Sequence, residues 1–386
     1  IIPKLDKFTN HILVHTGQNY DFNLDKIFFK NFAIRKPDYF LGAKGNFASQ
    51  IATILKKLYN ILIKEKPDRF LVLGDTNSSL GAIVAKRFGV PVFHMEAGNR
   101  QYDDIVPEEI NRRMIDNCSD ILLPYTQRSC ENLVKEGFER DKIFITGNPI
   151  YEVINNNYNK INDSDILKKL NLKKKDYFLV TLHRQENVDD ENKLKLLIKT
   201  LDRASTKFKK IVIWPAHPRS IKNIKKYHLK ITKKIKIITP QSFFNFIKLE
   251  MNSFCILTDS GTVQEESAIF KIPNIILREK TERPETIESG SSIISMNNSY
   301  DVINAINFAV NGNNTPNDIN EYNLDDQLLD TESDQENNEQ IIQKKNLNDV
   351  NIDYKIYTNQ FDEIIKAENL ENSDEAAKLR KTLDQQ

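Results

Sequence analysis

Residues 90–113 read V-P-V-F-H-M-E-A-G-N-R-Q-Y-D-D-I-V-P-E-E-I-N-R-R, and the fold is decided there. A short apolar run ends at Met95, an acid (Glu96) follows it, and Gly98 comes close behind. Pro107, with Glu108 and Glu109 after it, is the signature of a helix N-terminus. Spacing of i, i+3 and i+4 then predicts Glu108, Asn111 and Arg112 on one helix face. Two carboxylates converging from a strand end and a helix start are what general acid–base chemistry needs. The plainer alternative makes Glu108 and Arg112 a helix-stabilising ion pair and Glu96 a loop acid.

Outward from this stretch, short apolar runs alternate with longer helical patterns. Strands are expected at 11–15, 70–73, 121–123 and 142–145, and again at 177–182, 210–214, 235–238, 253–257 and 274–277. Helices are expected at 46–64, 78–88 and 191–208. Such alternation argues for βαβ units and parallel sheets. The Asn- and Lys-rich segment 155–175 reads as a hinge. The expectation is an α/β protein with two Rossmann-like, doubly wound domains facing a cleft. Residues 1–155 and 156–311 form the domains, and 312–386 a polar, disordered tail. Ligands in such sheets gather beyond the carboxyl ends of the strands.

At 386 residues the chain is too long for one ordinary domain. Its mean hydropathy is −0.51, and no apolar run approaches the ~20 residues of a spanning helix, so no membrane association is expected. A net charge of +1 argues against nucleic acid as the main partner. The three cysteines, Cys118, Cys130 and Cys255, lack CxxC spacing and read as reduced thiols of a cytoplasmic protein. No GxGxxG, Walker A, HExxH or paired metal-ligand spacing is present, so neither cofactor nor metal is expected.

Several further motifs fall at predicted strand ends. Gly74-Asp75-Thr76 follows one strand, which would project Asp75 into the cleft. His183-Arg184 ends the first strand of the second domain; an imidazole beside a guanidinium suits a diphosphate. Asp259-Ser260-Gly261, opening a helix, would let backbone N–H groups hold a phosphate. Glu266, one turn on, suits a sugar diol such as ribose, or else is a solvated helix acid. Arg283 lies among acids in T-E-R-P-E (281–285), a pattern that serves equally as a loop salt bridge.

Taken together, H-T-G-Q (15–18), G-D-T (74–76), H-M-E-A-G (94–98), P-E-E-I-N-R (107–112), G-N-P (147–149), H-R-Q-E-N (183–187), H-P-R (217–219), D-S-G-T-V-Q-E-E (259–266) and T-E-R-P-E occur in one order. From about residue 11 to 308 this closely resembles the non-hydrolysing UDP-N-acetylglucosamine 2-epimerase family. E-A-G-N-R (96–100) and L-P-Y-T (123–126) look most like the branch acting on UDP-6-deoxy-L-hexosamines, which makes UDP-N-acetyl-L-fucosamine or UDP-N-acetyl-L-quinovosamine for surface polysaccharide.

The resemblance implies a GT-B-like fold, a homodimer and epimerisation at C2 by anti elimination of UDP to a glycal and re-addition. Carried over by motif, Asp75, Glu96 and Glu108 are the catalytic carboxylates and His183 lies near the leaving β-phosphate. Arg112, Arg184, Ser260, Gly261, Glu266 and Arg283 would bind the UDP-sugar, and Gln18 matches a residue of an allosteric UDP-sugar site. The chain starts where the family's first strand and Gly-Thr-Arg-Pro-Glu loop have already passed. That strand and its diphosphate-binding Arg are therefore expected to be missing. A GT-B-type glycosyltransferase, or a truncated non-catalytic UDP-sugar-binding protein, are the alternatives; the former would not need Asp75, Glu96 and Glu108 together.

Overall fold

The computed structural model describes residues 1–18, 26–104, 106–295 and 298–311; the expected tail, 312–386, lies outside them. The first half holds α1 (Ile2–Phe8), β1 (Val14–His15), α2 (Lys26–Asn31), β2 (Tyr39–Phe40), α3 (Phe47–Glu65), β3 (Phe70–Leu73), α4 (Ala82–Arg87), β4 (Val92–Met95), α5 (Pro107–Cys118), β5 (Ile121–Leu123) and α6 (Gln127–Lys135). Short helices α7 (Pro149–Asn156), α8 (Tyr158–Asn162) and α9 (Ile166–Leu170) follow. The second half comprises β6 (Tyr177–Thr181), α10 (Gln185–Val188), α11 (Glu191–Phe208), β7 (Ile211–Pro215), α12 (Pro218–Lys226), β8 (Ile235–Ile238) and α13 (Phe243–Met251). It ends with β9 (Cys255–Thr258), α14 (Gly261–Ile269), β10 (Asn274–Ile276), α15 (Pro284–Glu288), β11 (Ser292–Ile294) and α16 (Ser299–Asn311).

Local signals start the helices. The Asn46 side chain accepts from Ser49 N at 2.9 Å to open α3, whose buried Ile54, Leu58, Ile61 and Leu62 recur at helical spacing. Asp190 does the same for α11 through Lys193 N at 2.9 Å. The larger sheet is parallel with order β11-β10-β9-β6-β7-β8. Its strands are apolar on both faces, as a sheet covered on both sides requires. Phe178, Val180, Val212 and Trp214 pack under α11, α12 and α16. Tyr177, Leu179, Ile213 and Ile256 pack under α9, α13 and α14. The chain runs outward from β6 to β8, then returns to β9 on the other side of β6. The crevice beyond the carboxyl ends of β6 and β9 is the topological switch point where such sheets bind ligands.

In the first half, β3-β4-β5 form one parallel sheet and β1-β2 a second. Among the described residues no strand pairs with both β1 and β3.

One expected strand is absent, and two features went unread in the sequence. Residues 142–145 form no strand, only one bridge from Leu122 to Ile143 after a 3₁₀ turn at Arg140–Lys142. Residues 155–175 are largely helical, and their few isoleucines are buried: Ile161 joins Ile154 against Ile247 of α13. Composition averaged over the segment hides those anchors. The two- and three-residue strands β2 and β11 are too short to show alternation, and the sequence reading missed both.

Candidate active site

Asp75 and Glu96 sit just past the ends of neighbouring strands β3 and β4. The Asp75 carboxylate meets the Arg112 guanidinium at 2.6 Å, and Asn111 Nδ2 donates to the Asp75 carbonyl at 2.9 Å. Glu96 has a φ of +66°, a left-handed conformation that a non-glycine residue holds only at a cost. Its N–H donates to Leu123 O at 3.0 Å and its carboxylate accepts from Asn99 Nδ2 at 3.2 Å.

On the helix face predicted from i, i+3 and i+4 spacing, the alternative Glu108–Arg112 ion pair does not form. Arg112 pairs with Glu109, at 3.0 Å, and not with Glu108. Glu109 is buried and also accepts from Gln101 N at 2.9 Å, Tyr102 N at 3.2 Å and Arg113 at 3.2 Å, which makes it a strut for the turn before α5. Glu108 is half-buried and faces the Arg184 guanidinium of the second lobe. The first-turn acid is thus left for that lobe because its neighbour does the structural work.

Beneath the acids runs a buried charge network. His94 Nδ1 meets Asp116 at 2.7 Å and Nε2 meets the Gly74 carbonyl at 3.2 Å. Asp116 also pairs with Arg100 at 2.7 Å, and Arg100 grips Glu136 at 2.8 and 2.6 Å. Burial would push the Asp116 carboxyl up, yet His94 and Arg100 hold it below its ordinary value. Gly98 is obligatory: its φ is +77°, and a Cβ there would lie 2.2 Å from Ser129 O.

In the second lobe Asp259 is fully buried after β9. It accepts from His183 N at 3.1 Å, Arg184 N at 3.0 Å and Asn187 Nδ2 at 3.1 Å, and pairs with His183 Nδ1 at 3.1 Å. Burial is outweighed by these donors, so its carboxyl is held below the usual range. His183 keeps 41% of its side chain exposed. Ser260 caps α14 and Gly261 begins it; a Cβ on Gly261 would sit 2.7 Å from Glu282 Oε1. Glu282 lies at that helix mouth and binds Arg278 at 2.8 Å, Arg184 at 3.1 Å and the Gln101 amide. Burial opposes its ionisation, but Arg278, Arg283 and Arg184 drive its pKa far below normal. An anion position flanked by two arginines at a helix N-terminus is what a phosphate requires.

Arg283 joins the lobes. Its buried guanidinium hydrogen-bonds Glu96 and Glu265. Burial raises the Glu265 carboxyl to about 7 against the pull of Arg283. Burial, with Glu96 and Glu265 nearby, keeps the Tyr125 hydroxyl protonated well beyond its ordinary pKa. Glu266 lies one residue on, buried, its carboxyl against that of Glu250 on α13. Gln18 accepts from Ser78 Oγ at 3.2 Å, beside Asn77, whose Oδ1 accepts from Asn111 Nδ2 at 3.3 Å.

The structure therefore gathers Asp75, Glu96, Arg112 and Arg283, with Glu108 facing Arg184. Sequence reasoning missed Tyr125, Asp259, Glu265 and Glu282 as site residues, although all four stand inside quoted motifs. Gln101 and Glu250 carry no sequence signal. Among the described residues no cluster of His, Cys, Asp and Glu has metal-binding geometry, and no helix is long and apolar enough to cross a membrane.

Two Rossmann-like lobes with charged groups crossing between them define a GT-B-like α/β enzyme. The crystal structure of Methanocaldococcus jannaschii UDP-GlcNAc 2-epimerase in complex with UDP-GlcNAc and UDP matches it with a TM-score of 0.77 at 38% identity. That match covers 85% of this chain and 94% of the other. The model of the family described as UDP-N-acetylglucosamine 2-epimerase matches residues 4–327, and the chain belongs to that family, as an isomerase. It is 41% identical over 329 residues to the M. jannaschii UDP-N-acetylglucosamine 2-epimerase, across 81% of this chain and 88% of that protein. It is 37% identical over 294 residues to UDP-2,3-diacetamido-2,3-dideoxy-D-glucuronate 2-epimerase of Pseudomonas aeruginosa, across 74% and 80%.

Proposed function

We propose that this protein inverts C2 of a UDP-N-acetylhexosamine, with a 6-deoxy-L-sugar as its substrate. The carrying observation is that Asp75 and Glu96 stand on adjacent strand ends, Asp75 held by Arg112 and Glu96 by Arg283 from the other lobe. Residues 1–155 supply the carboxylates and 156–311 the UDP site.

A base removes the C2 proton while the C1–O bond to UDP breaks, leaving a C1=C2 glycal. An acid then protonates C2 from the opposite face, and the UDP oxygen re-forms the bond to C1. Proton, electron pair and leaving group are all returned, so the reaction needs no external oxidant or reductant. Asp75, Glu96 and Glu108 carry the proton transfers and offset charge at the anomeric carbon. His183 and Arg184 face the diphosphate, the first N–H groups of α14 at Ser260 and Gly261 hold phosphate, and Glu266 takes the ribose diol. The 6-deoxy-L preference is supported by Tyr125 of L-P-Y-T, which is buried beside Glu96.

NMR of candidate UDP-sugars incubated with the protein in deuterated water tests this. Deuterium should enter C2 of the epimerised 6-deoxy-L-sugar without added cofactor. Retention of the original hydrogen would remove the mechanism, and faster exchange into UDP-N-acetylglucosamine would remove the 6-deoxy preference.

A further inference from the structure

Glu250, on α13, is 0% exposed, and neither of its carboxylate oxygens meets an N–H or O–H donor among the described residues. The group that faces it is the carboxyl of Glu266 on α14, itself 5% exposed. A buried acceptor without a donor is costly, and two carboxylates can bond only through a proton. The other titratable groups facing the pair among the described residues are Glu265 on α14 and the Tyr177 hydroxyl of β6, which donates to Leu249 O at 2.6 Å. Neither is a cation.

We propose that Glu250 and Glu266 share one proton, and that Glu250 thereby positions Glu266 with an oxygen free to accept from the nucleotide's ribose. The idea rests on the ribose role given to Glu266 above. Burial pushes both carboxyls above their ordinary range, each has the other beside it, and Glu266 has Glu265 as well. Removal of the shared proton leaves two like charges in an apolar site, and Glu266 cannot keep its place. Affinity for UDP then falls on the alkaline side, by about tenfold per pH unit once the pair has titrated.

Calorimetric titration of the full chain with UDP from about pH 6 to pH 9 tests this with three variants. Glu250→Gln supplies an amide donor that does not titrate. It should bind UDP like the native protein at the acid end and stay level where the native affinity falls. Titration of UDP and of Glu265 is common to both proteins, so only the difference between them counts. Glu250→Leu, with no donor, should bind more weakly at every pH. At neutral pH the infrared carbonyl band of neutral carboxylic acid should be stronger in the native protein than in Glu250→Gln, beyond the part that Glu265, titrating near 7, contributes to both. An identical alkaline fall in Glu250→Gln, or bands of equal strength in the two proteins, overturns the shared proton. Undiminished UDP binding by Glu266→Ala instead removes the ribose role, and the positioning role with it.

Discussion

The guanidinium of Arg283 is held between Glu96 of the first lobe and Glu265 of the second. One buried cation therefore sets the distance between an acid on a strand end and an acid on a helix 169 positions later in the chain. Arg283→Met would leave the buried Glu265 and the half-buried Glu96 without their shared cation. Breaking a buried pair in this way costs about 3–5 kcal/mol, which urea denaturation should show as a lower midpoint with an unchanged slope. Arg283→Lys should recover only part, because an ammonium cannot reach two carboxylates with a planar fork.

Glu265 gives the fold a pH dependence. Its carboxyl titrates near 4.5 ordinarily and near 7 in the folded protein. The folded state therefore binds the proton more tightly, and stability falls as pH rises between those values, levelling off above about 7. Its contribution is fully present below 4.5. Glu265→Gln should flatten this slope, worth on the order of 1–3 kcal/mol, in denaturation series from pH 5 to pH 8. An equal slope in native and variant proteins would assign the effect elsewhere.

Glu108 and Glu109 should separate cleanly. Glu109→Gln loses charge-assisted bonds to two arginines and two backbone N–H groups, so its melting temperature should drop in line with about 1–3 kcal/mol per buried group left unpaired. Glu108→Gln, half-buried at the first turn, should melt like the native protein and lose turnover.

Asp75→Asn, Glu96→Gln and Glu108→Gln each keep shape and remove a proton-transfer or charge role. Turnover should drop by roughly 10²–10⁴, with UDP still binding in calorimetry. Near-normal turnover in any one returns that residue to a structural part.

Much of this was legible in the sequence because short runs dominated by apolar residues mark the strands; β3, β5 and β8 start and end at the residues the pattern predicts. The positions of Asp75, Glu96 and His183 follow from lying just past such strands. Choosing between Glu108 and Glu109 was not legible, since helical spacing fits either as a partner for Arg112 and only the packed turn at Gln101 and Tyr102 decides. Nor was Glu250, whose neighbour Glu266 comes from a different helix, a contact that no local pattern encodes. The helices within 155–175 were hidden because two isoleucines, Ile161 and Ile166, among many Asn and Lys suffice to anchor them.

The left-handed backbone at Glu96 restricts which residues this position accepts. Glycine and asparagine relieve the conformation, so Glu96→Gly or Glu96→Asn eases the main chain but takes a carboxylate partner from the buried Arg283 guanidinium. Aspartate keeps the charge and suits the backbone, but is one methylene too short to reach Arg283 from the same Cα. The position thus sets an unstrained backbone against charge: single substitutions that ease the main chain all withdraw the carboxylate from Arg283 and from the site.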